Sequence, residues 1–394
     1  MEDEYLSLSV GKLEIEWLRN AIGKQDHSVL FKQSDKASVS YHYDDDKTGR
    51  ITSKDGQGYR KSLSDIRNRL DLLGFSFKNL PELLKEYFDG YPSEDPSLNK
   101  IDTAKIIDIL SKVDVASIKL VEHEGDADIG EFFTRRILTI PQFKHLKDYL
   151  DKFKKIERYV FEQIDPYIIL AALAHNTANE NLSVEWRNDQ KLSDSPGTYQ
   201  KYLIVTEGVT DGQVLKKAFE ILKPNVADFF EFIDMNENYP FGGAGNLANF
   251  FKGLAKIGTN REMVFIFDND AEGHGSLHKL KNVNHPDNMK KFAMPNMGEF
   301  SSFTTIGPTG VVSQDINGRA VAIEMYLDLK YKNQDTPMIR WSSLDKNINE
   351  YQGALENKHW YYETFMNLKL TEYKNYDFSL LAKLLDELVK TIIA

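Results

Sequence analysis

The alternation of apolar and polar residues changes character about halfway along the chain. In the first part, "YLSLSVGKLEIEWL" and "ASVSYHYD" place apolar residues at nearly every second position, which predicts strands. "SLSDIRNRLDLLGFSF" then sets Ile66, Leu70 and Leu73 at helical spacing behind Ser62 or Ser64 as a cap. The same period recurs in "LPELLKEYFDGY", in "TAKIIDILSKV" and from Ile140 to Leu173. Residues 1–190 therefore read as a mostly helical, strand-containing domain. "NDQKLSDSPGTY", residues 188–199, is polar, carries Pro196-Gly197 and is the best linker candidate.

From Tyr202 onward, short apolar runs alternate with helical ones. "YLIVTEG", "DFFEFID", "EMVFIFD" and "KKFAMP" read as strands. "TDGQVLKKAFEIL" and "GGAGNLANFFKGLAKIG" read as helices, the first capped by Thr210 or Asp211. This alternation predicts an α/β domain over residues 200–330, a parallel sheet flanked by helices. After residue 330 the period weakens until "FSLLAKLLDELVKTII", where Leu381, Leu384, Leu385, Leu388 and Ile392 share one face. Residues 331–394 read as a small helical region whose amphipathic last helix closes on the domain rather than on a membrane.

Composition removes several alternatives. The 394 residues are 41% hydrophobic, enough for two or three packed domains. The longest aliphatic stretch, near "YIILAALA", is too short to span a bilayer. The start, "MEDEYLSLSV", lacks the basic-then-apolar plan of a signal peptide, so the expectation is a soluble, cytoplasmic protein with no membrane partner. No cysteine is present, which excludes disulfides, cysteine zinc sites and thiol catalysis. The net charge of −11 gives no general attraction for nucleic acid, so binding it requires a local basic patch or metal ions.

The candidate chemistry sits where strands end. "VFIFDNDAEGHG" runs four apolar residues into Asp268, Asp270 and Glu272. "YLIVTEGVTD" ends a strand at Glu207, with Asp211 in the first turn of the following helix. Parallel α/β sheets bind ligands beyond the carboxyl ends of their strands, so these acids share one sheet edge. Carboxylates packed this closely repel unless one is protonated or a cation intervenes. An all-oxygen donor set selects Mg²⁺ or Mn²⁺, and one or two such ions can activate water and hold phosphoryl oxygens.

Two other motif readings fail. "DNDAEG" matches the first half of a calcium loop, but position 12 is Lys279 and a strand precedes it. "GAGNLA", residues 243–248, fits a dinucleotide fingerprint, but "MNENYPF" separates it from the preceding strand. Three acids beside a pyrophosphate would also repel it. Gly243 and Gly245 read instead as turn glycines that let the loop pass close to the site.

The order "IVTEGVTD", glycine loop, "VFIFDNDAEG" resembles the Toprim domain of topoisomerases, primases, recombination proteins and the overcoming-lysogenisation-defect nucleases. "SLSVGKLEIEW", "HSVLF", "LSDIRNRLDLLGFS" and "RWSSLDKNINEYQG" are similar to bacterial HEPN/Toprim-associated proteins. The resemblance implies a nuclease effector of anti-phage defence, dependent on Mg²⁺ or Mn²⁺, with two ions. It implies Glu207 as metal ligand or general base and Asp268 and Asp270 as metal ligands. Asp211 and Glu272 join the same shell, and Glu324 matches a later acid of the nuclease branch. That branch also uses a lysine near the scissile phosphate, for which Lys279, Lys281, Lys290 and Lys291 are candidates. "KHLKDYLDKFKKIER", residues 144–158, is a second basic run. The Arg-then-His pair of HEPN ribonucleases has no counterpart in the first half. That half is left with a role in the fold, a partner contact or a homo-oligomer. Nucleic acid, DNA or RNA, is the implied substrate. A separately encoded ATPase or sensor is the implied partner, since no phosphate-binding G-x-x-x-x-G-K-[ST] occurs here. The competing reading is a metal-stabilised binding or regulatory module without nuclease activity.

Overall fold

The computed structural model describes residues 8–17, 26–45, 50–91, 96–119, 132–153, 156–188, 201–233, 242–308, 310–332, 335–345 and 350–394. The chain divides into two units, Met1–Tyr199 and Gln200–Ala394. Residues 189–199 of the linker candidate and the "MNENYPF" stretch lie outside the described residues. Among the described residues, no helix is long and apolar enough to cross a membrane.

The first unit contains β1 (Leu8–Val10), β2 (Leu13–Glu14), β3 (Lys36–Asp45), β4 (Arg50–Ser62), α1 (Leu63–Leu72), α2 (Leu80–Gly90), α3 (Thr103–Leu110), α4 (Lys144–Leu150), α5 (Pro166–Leu173) and β5 (Ser183–Arg187). Its strands form an antiparallel sheet in the order β2-β1-β5-β4-β3. Ser62 is the cap of α1, its hydroxyl accepting from the Asp65 N–H at 3.2 Å. Ile66 and Leu70 enter the core as their spacing predicts. The continuous helical period from Ile140 to Leu173 is not one helix. It breaks into α4, a 3-10 turn over Arg158–Gln163, and α5. Pro166, with no N–H and a fixed φ, can start α5 but cannot continue a helix into it. Every residue of α5 is buried, as expected of a helix apolar on all sides.

The second unit opens with β6 (Tyr202–Thr206), α6 (Val209–Leu222), β7 (Phe230–Phe232), α7 (Ala244–Ile257) and β8 (Met263–Phe267). Next come β9 (Asn269–Asp270), α8 (Ala271–Lys279) and β10 (Met289–Ala293). The four longer strands form a wholly parallel sheet, order β10-β8-β6-β7. All five residues of β8 are buried, so both faces of the sheet are covered. Phe265 packs edge-on against Phe251 of α7, their centroids 5.0 Å apart. Val264 and Ile266 point to the opposite face. On that side Lys290, in register with Val264, donates to the carbonyls of Thr391 and Ile392 in α10 (Ser379–Ile393). The α10 face of Leu381, Leu384, Leu385, Leu388 and Ile392 is buried, as its period predicts.

The rest of the unit departs from the sequence reading. Strands β11 (Phe303–Gly307), β12 (Gly310–Gln314), β14 (Ile339–Asp345) and β15 (Glu350–Leu355) form a second sheet, order β12-β11-β14-β15. The region after residue 330 is therefore not simply helical, since β14 and β15 precede α9 (Lys358–Met366) and α10. The pattern hides the hairpin because a bulge between Trp341 and Ser343 breaks its alternation. The short β13 (Ala320–Val321) pairs antiparallel with β9, Ala320 opposite Asp270 and Val321 opposite Asn269.

Candidate functional site

The ends of β6 and β8 lie side by side because those strands are direct neighbours in the parallel sheet. Glu207 leaves β6 and Asp268 leaves β8. The Asp268 N–H donates to Glu207 Oε1 at 3.0 Å, tying the two strand ends together. Gly243, at the start of α7 with φ +88°, donates its N–H to the Glu207 carbonyl at 2.9 Å. A side chain there would strain the backbone, so this glycine does bring its loop against Glu207.

Asp211 stands at the third position of α6 and is buried, with Oδ2 accepting from the Gly208 N–H at 2.8 Å. Gly208, rather than Thr210 or Asp211, occupies the cap position. Asp270 caps α8, its Oδ1 accepting from the Gly273 N–H at 2.7 Å. Glu324 lies on a buried 3-10 turn, Ile323–Tyr326, and is only 4% exposed. Glu272 is exposed at the mouth.

These acids repel one another through a dry interior. Burial pushes Glu207 up to about 8, and the charges of Asp270, Asp211 and Glu272 add to it, while the Asp268 N–H opposes. Burial lifts Asp211 to about 7, with Glu324 contributing. Asp268 is raised well above the usual carboxylate range by burial, then by Asp211, Glu207, Asp270 and Glu324. Glu324 is raised by burial. Asp268 as a residue is half-buried, but its Oδ1 is sealed from solvent without a hydrogen-bond partner. A buried unpartnered carboxylate oxygen is costly, and a hard cation would satisfy it. Among the described residues, no three His, Asp or Glu side chains already stand together at ligating spacing. The donor chemistry nonetheless fits Mg²⁺ or Mn²⁺, since every member is a carboxylate and Asp268 has an oxygen to spare.

The lysines are not brought to this cluster. Lys279 ends α8, nine residues after Asp270, or ~13 Å along the helix. Lys281 lies beyond it. Lys290 is engaged with the carbonyls of α10, and Lys291 donates to the Leu280 carbonyl and lies over the Phe251 ring. The cation that acts on the cluster is Lys358, whose charge opposes the rise of both Asp211 and Glu324. Gln352 of β15 braces the site from the second sheet. Its Nε2 donates to Asp270 Oδ2 at 2.5 Å, and its Oε1 accepts from the Glu272 N–H at 3.1 Å. Asn269, between the two aspartates, is fully buried and accepts from the Gly318 N–H at 2.9 Å. Gln352 falls within the quoted "RWSSLDKNINEYQG", but neither it nor Lys358 carries a spacing that ties it to the distant carboxylates.

The geometry thus defines a mixed α/β protein whose parallel sheet presents a carboxylate cluster at its strand ends. Residues 2–190 match the family model described as HEPN/Toprim N-terminal domain 1. The match falls within the first unit, Met1–Tyr199. No curated protein and no solved structure matches the chain.

Proposed function

We propose that the second unit is a Toprim nuclease unit, similar to that of the overcoming-lysogenisation-defect nucleases. It cuts phosphodiester bonds of nucleic acid with Mg²⁺ or Mn²⁺ and serves as an anti-phage effector. The observation that carries this reading is the joining of Glu207 and Asp268 at adjacent strand ends, with Asp268 Oδ1 buried and unpartnered. The match of residues 2–190 to a HEPN/Toprim model supports it from the other half of the chain.

Asp268, Asp270 and Glu207 would hold the cation, with Asp211 and Glu324 behind them and Glu272 at the mouth. The metal supplies a Lewis acid for phosphoryl oxygens and a water of lowered pKa. Glu207 would serve either as such a ligand or, off the metal, as the general base through the oxygen not held by the Asp268 N–H. Gln352 keeps Asp270 and the Glu272 backbone in register. Incubation of the full chain with plasmid, single-stranded DNA and total RNA tests the proposal. Cleavage with Mn²⁺ and none with EDTA is expected. A stable stoichiometric complex with a partner, and no cleavage of any of the three, would favour the regulatory-module reading.

A further inference from the structure

A cleft of about 830 Å³ opens in the second unit beside α9. It is lined by Val311, Lys332, Met338, Asn357, Trp360 and Tyr361, among others. Its volume falls in the range of small-ligand pockets, about 300–1,000 Å³. Trp360 is 40% exposed and Val311 60% exposed. Among the described residues, Lys332 and Asn357 are the only non-glycine positions with positive φ, and both line this cleft. Sparsely populated backbone of this kind gathers at ligand sites.

The cleft is joined to the carboxylates through one run of chain. Gln352 on β15 holds Asp270, Asn357 lines the cleft, and Lys358 follows it at the start of α9. Asn357 stands five positions after Gln352, ~17 Å if extended, a few nucleotides of strand. The lining also carries Asp335 and Glu356, the latter paired with Arg340, so the exposed indole and the Asn357 amide, rather than net positive charge, are the groups that would take an unpaired base.

We propose that this cleft docks an unpaired nucleotide of single-stranded nucleic acid, with the base on Trp360 and the adjoining backbone passing Lys358 toward the carboxylates. The proposal rests on the nuclease reading above and names its substrate as single-stranded. Duplex bases are stacked and cannot reach the indole.

Binding of labelled single-stranded DNA, single-stranded RNA and matched duplex to the full chain in EDTA tests the subsite apart from cleavage. Both single strands are expected to bind more tightly than duplex, and Trp360→Ala to weaken them about 5- to 150-fold. Trp360→Phe should recover most of the loss, and an unchanged melting curve should accompany each variant. Wild-type affinity in Trp360→Ala, or equal binding of duplex, would overturn the proposal. Metal-dependent cleavage is measured on the same preparations. If wild type cuts and Asp268→Ala does not, while Trp360→Ala binds normally, the subsite fails and the nuclease reading stands. If nothing is cut but Trp360→Ala loses single strands, the nuclease reading fails and the docking site stands.

Discussion

Glu207 and Asp211 hold protons near neutral pH that carboxylates normally release near 4.5 and 3.8. The folded, metal-free protein therefore binds more protons than the unfolded chain between about pH 5 and 8. Its stability must fall as pH rises through that window. Thermal melting in EDTA checks this, and Asp268→Asn should raise the midpoint at pH 8 but not at pH 5. Each pKa unit of relieved repulsion is about 1.36 kcal/mol, or about 3–5 °C in a domain of this size. Mn²⁺ bound as proposed would displace the same protons, so its apparent affinity should climb between pH 6 and 8. Gln352 acts through Asp270 rather than on substrate. Gln352→Ala should weaken Mn²⁺ binding about 10- to 100-fold with the fold unchanged, read by metal titration and circular dichroism.

At the scale of elements, the site depends on how closely α8 follows β8. A Cβ on Gly273 would meet the Asp268 carbonyl oxygen at 2.3 Å, a contact real side chains do not make. Gly273→Ala should therefore shift the Asp268–Asp270 loop, abolish metal-dependent activity and cost about 1–3 kcal/mol in denaturant unfolding. The glycine of "DNDAEG" is thus a packing requirement of the turn from β8 into α8. The parallel sheet was legible because β6 and β8 are apolar runs ending abruptly in acids, and α6, α7 and α10 keep clean periods. The sheet of β11, β12, β14 and β15 was not. Strand β12 is exposed along its whole length, and β14 is bulged, so neither shows a buried face to the pattern. The same sheet delivers Gln352, and α9 delivers Lys358. Both depend on long-range packing, which residue spacing cannot report. Lys279 stands at the last position of α8 and Asp270 caps its first turn.

At the scale of the whole molecule, a chain of net charge −11 cannot rely on diffuse attraction to a polyanion. On the proposed nuclease reading, contacts with nucleic acid would be few and local, with divalent cations bridging the acidic mouth. Binding of single strands in EDTA should then show a shallow salt dependence. A slope of log K against log [salt] between about −0.7 and −1.4 corresponds to one or two neutralised phosphates. A slope steeper than about −4 would point to a broad basic surface elsewhere on the chain. The family match falls on the first unit, Met1–Tyr199, and the carboxylate cluster on the second, Gln200–Ala394. The most direct test therefore uses the full chain. Cleavage of single-stranded nucleic acid with Mn²⁺ is compared between wild type and the Asp268→Ala, Asp270→Ala double variant. The account predicts cleavage by wild type that EDTA stops, and a loss of at least about 100-fold in the double variant. A double variant that cuts as fast as wild type would contradict it.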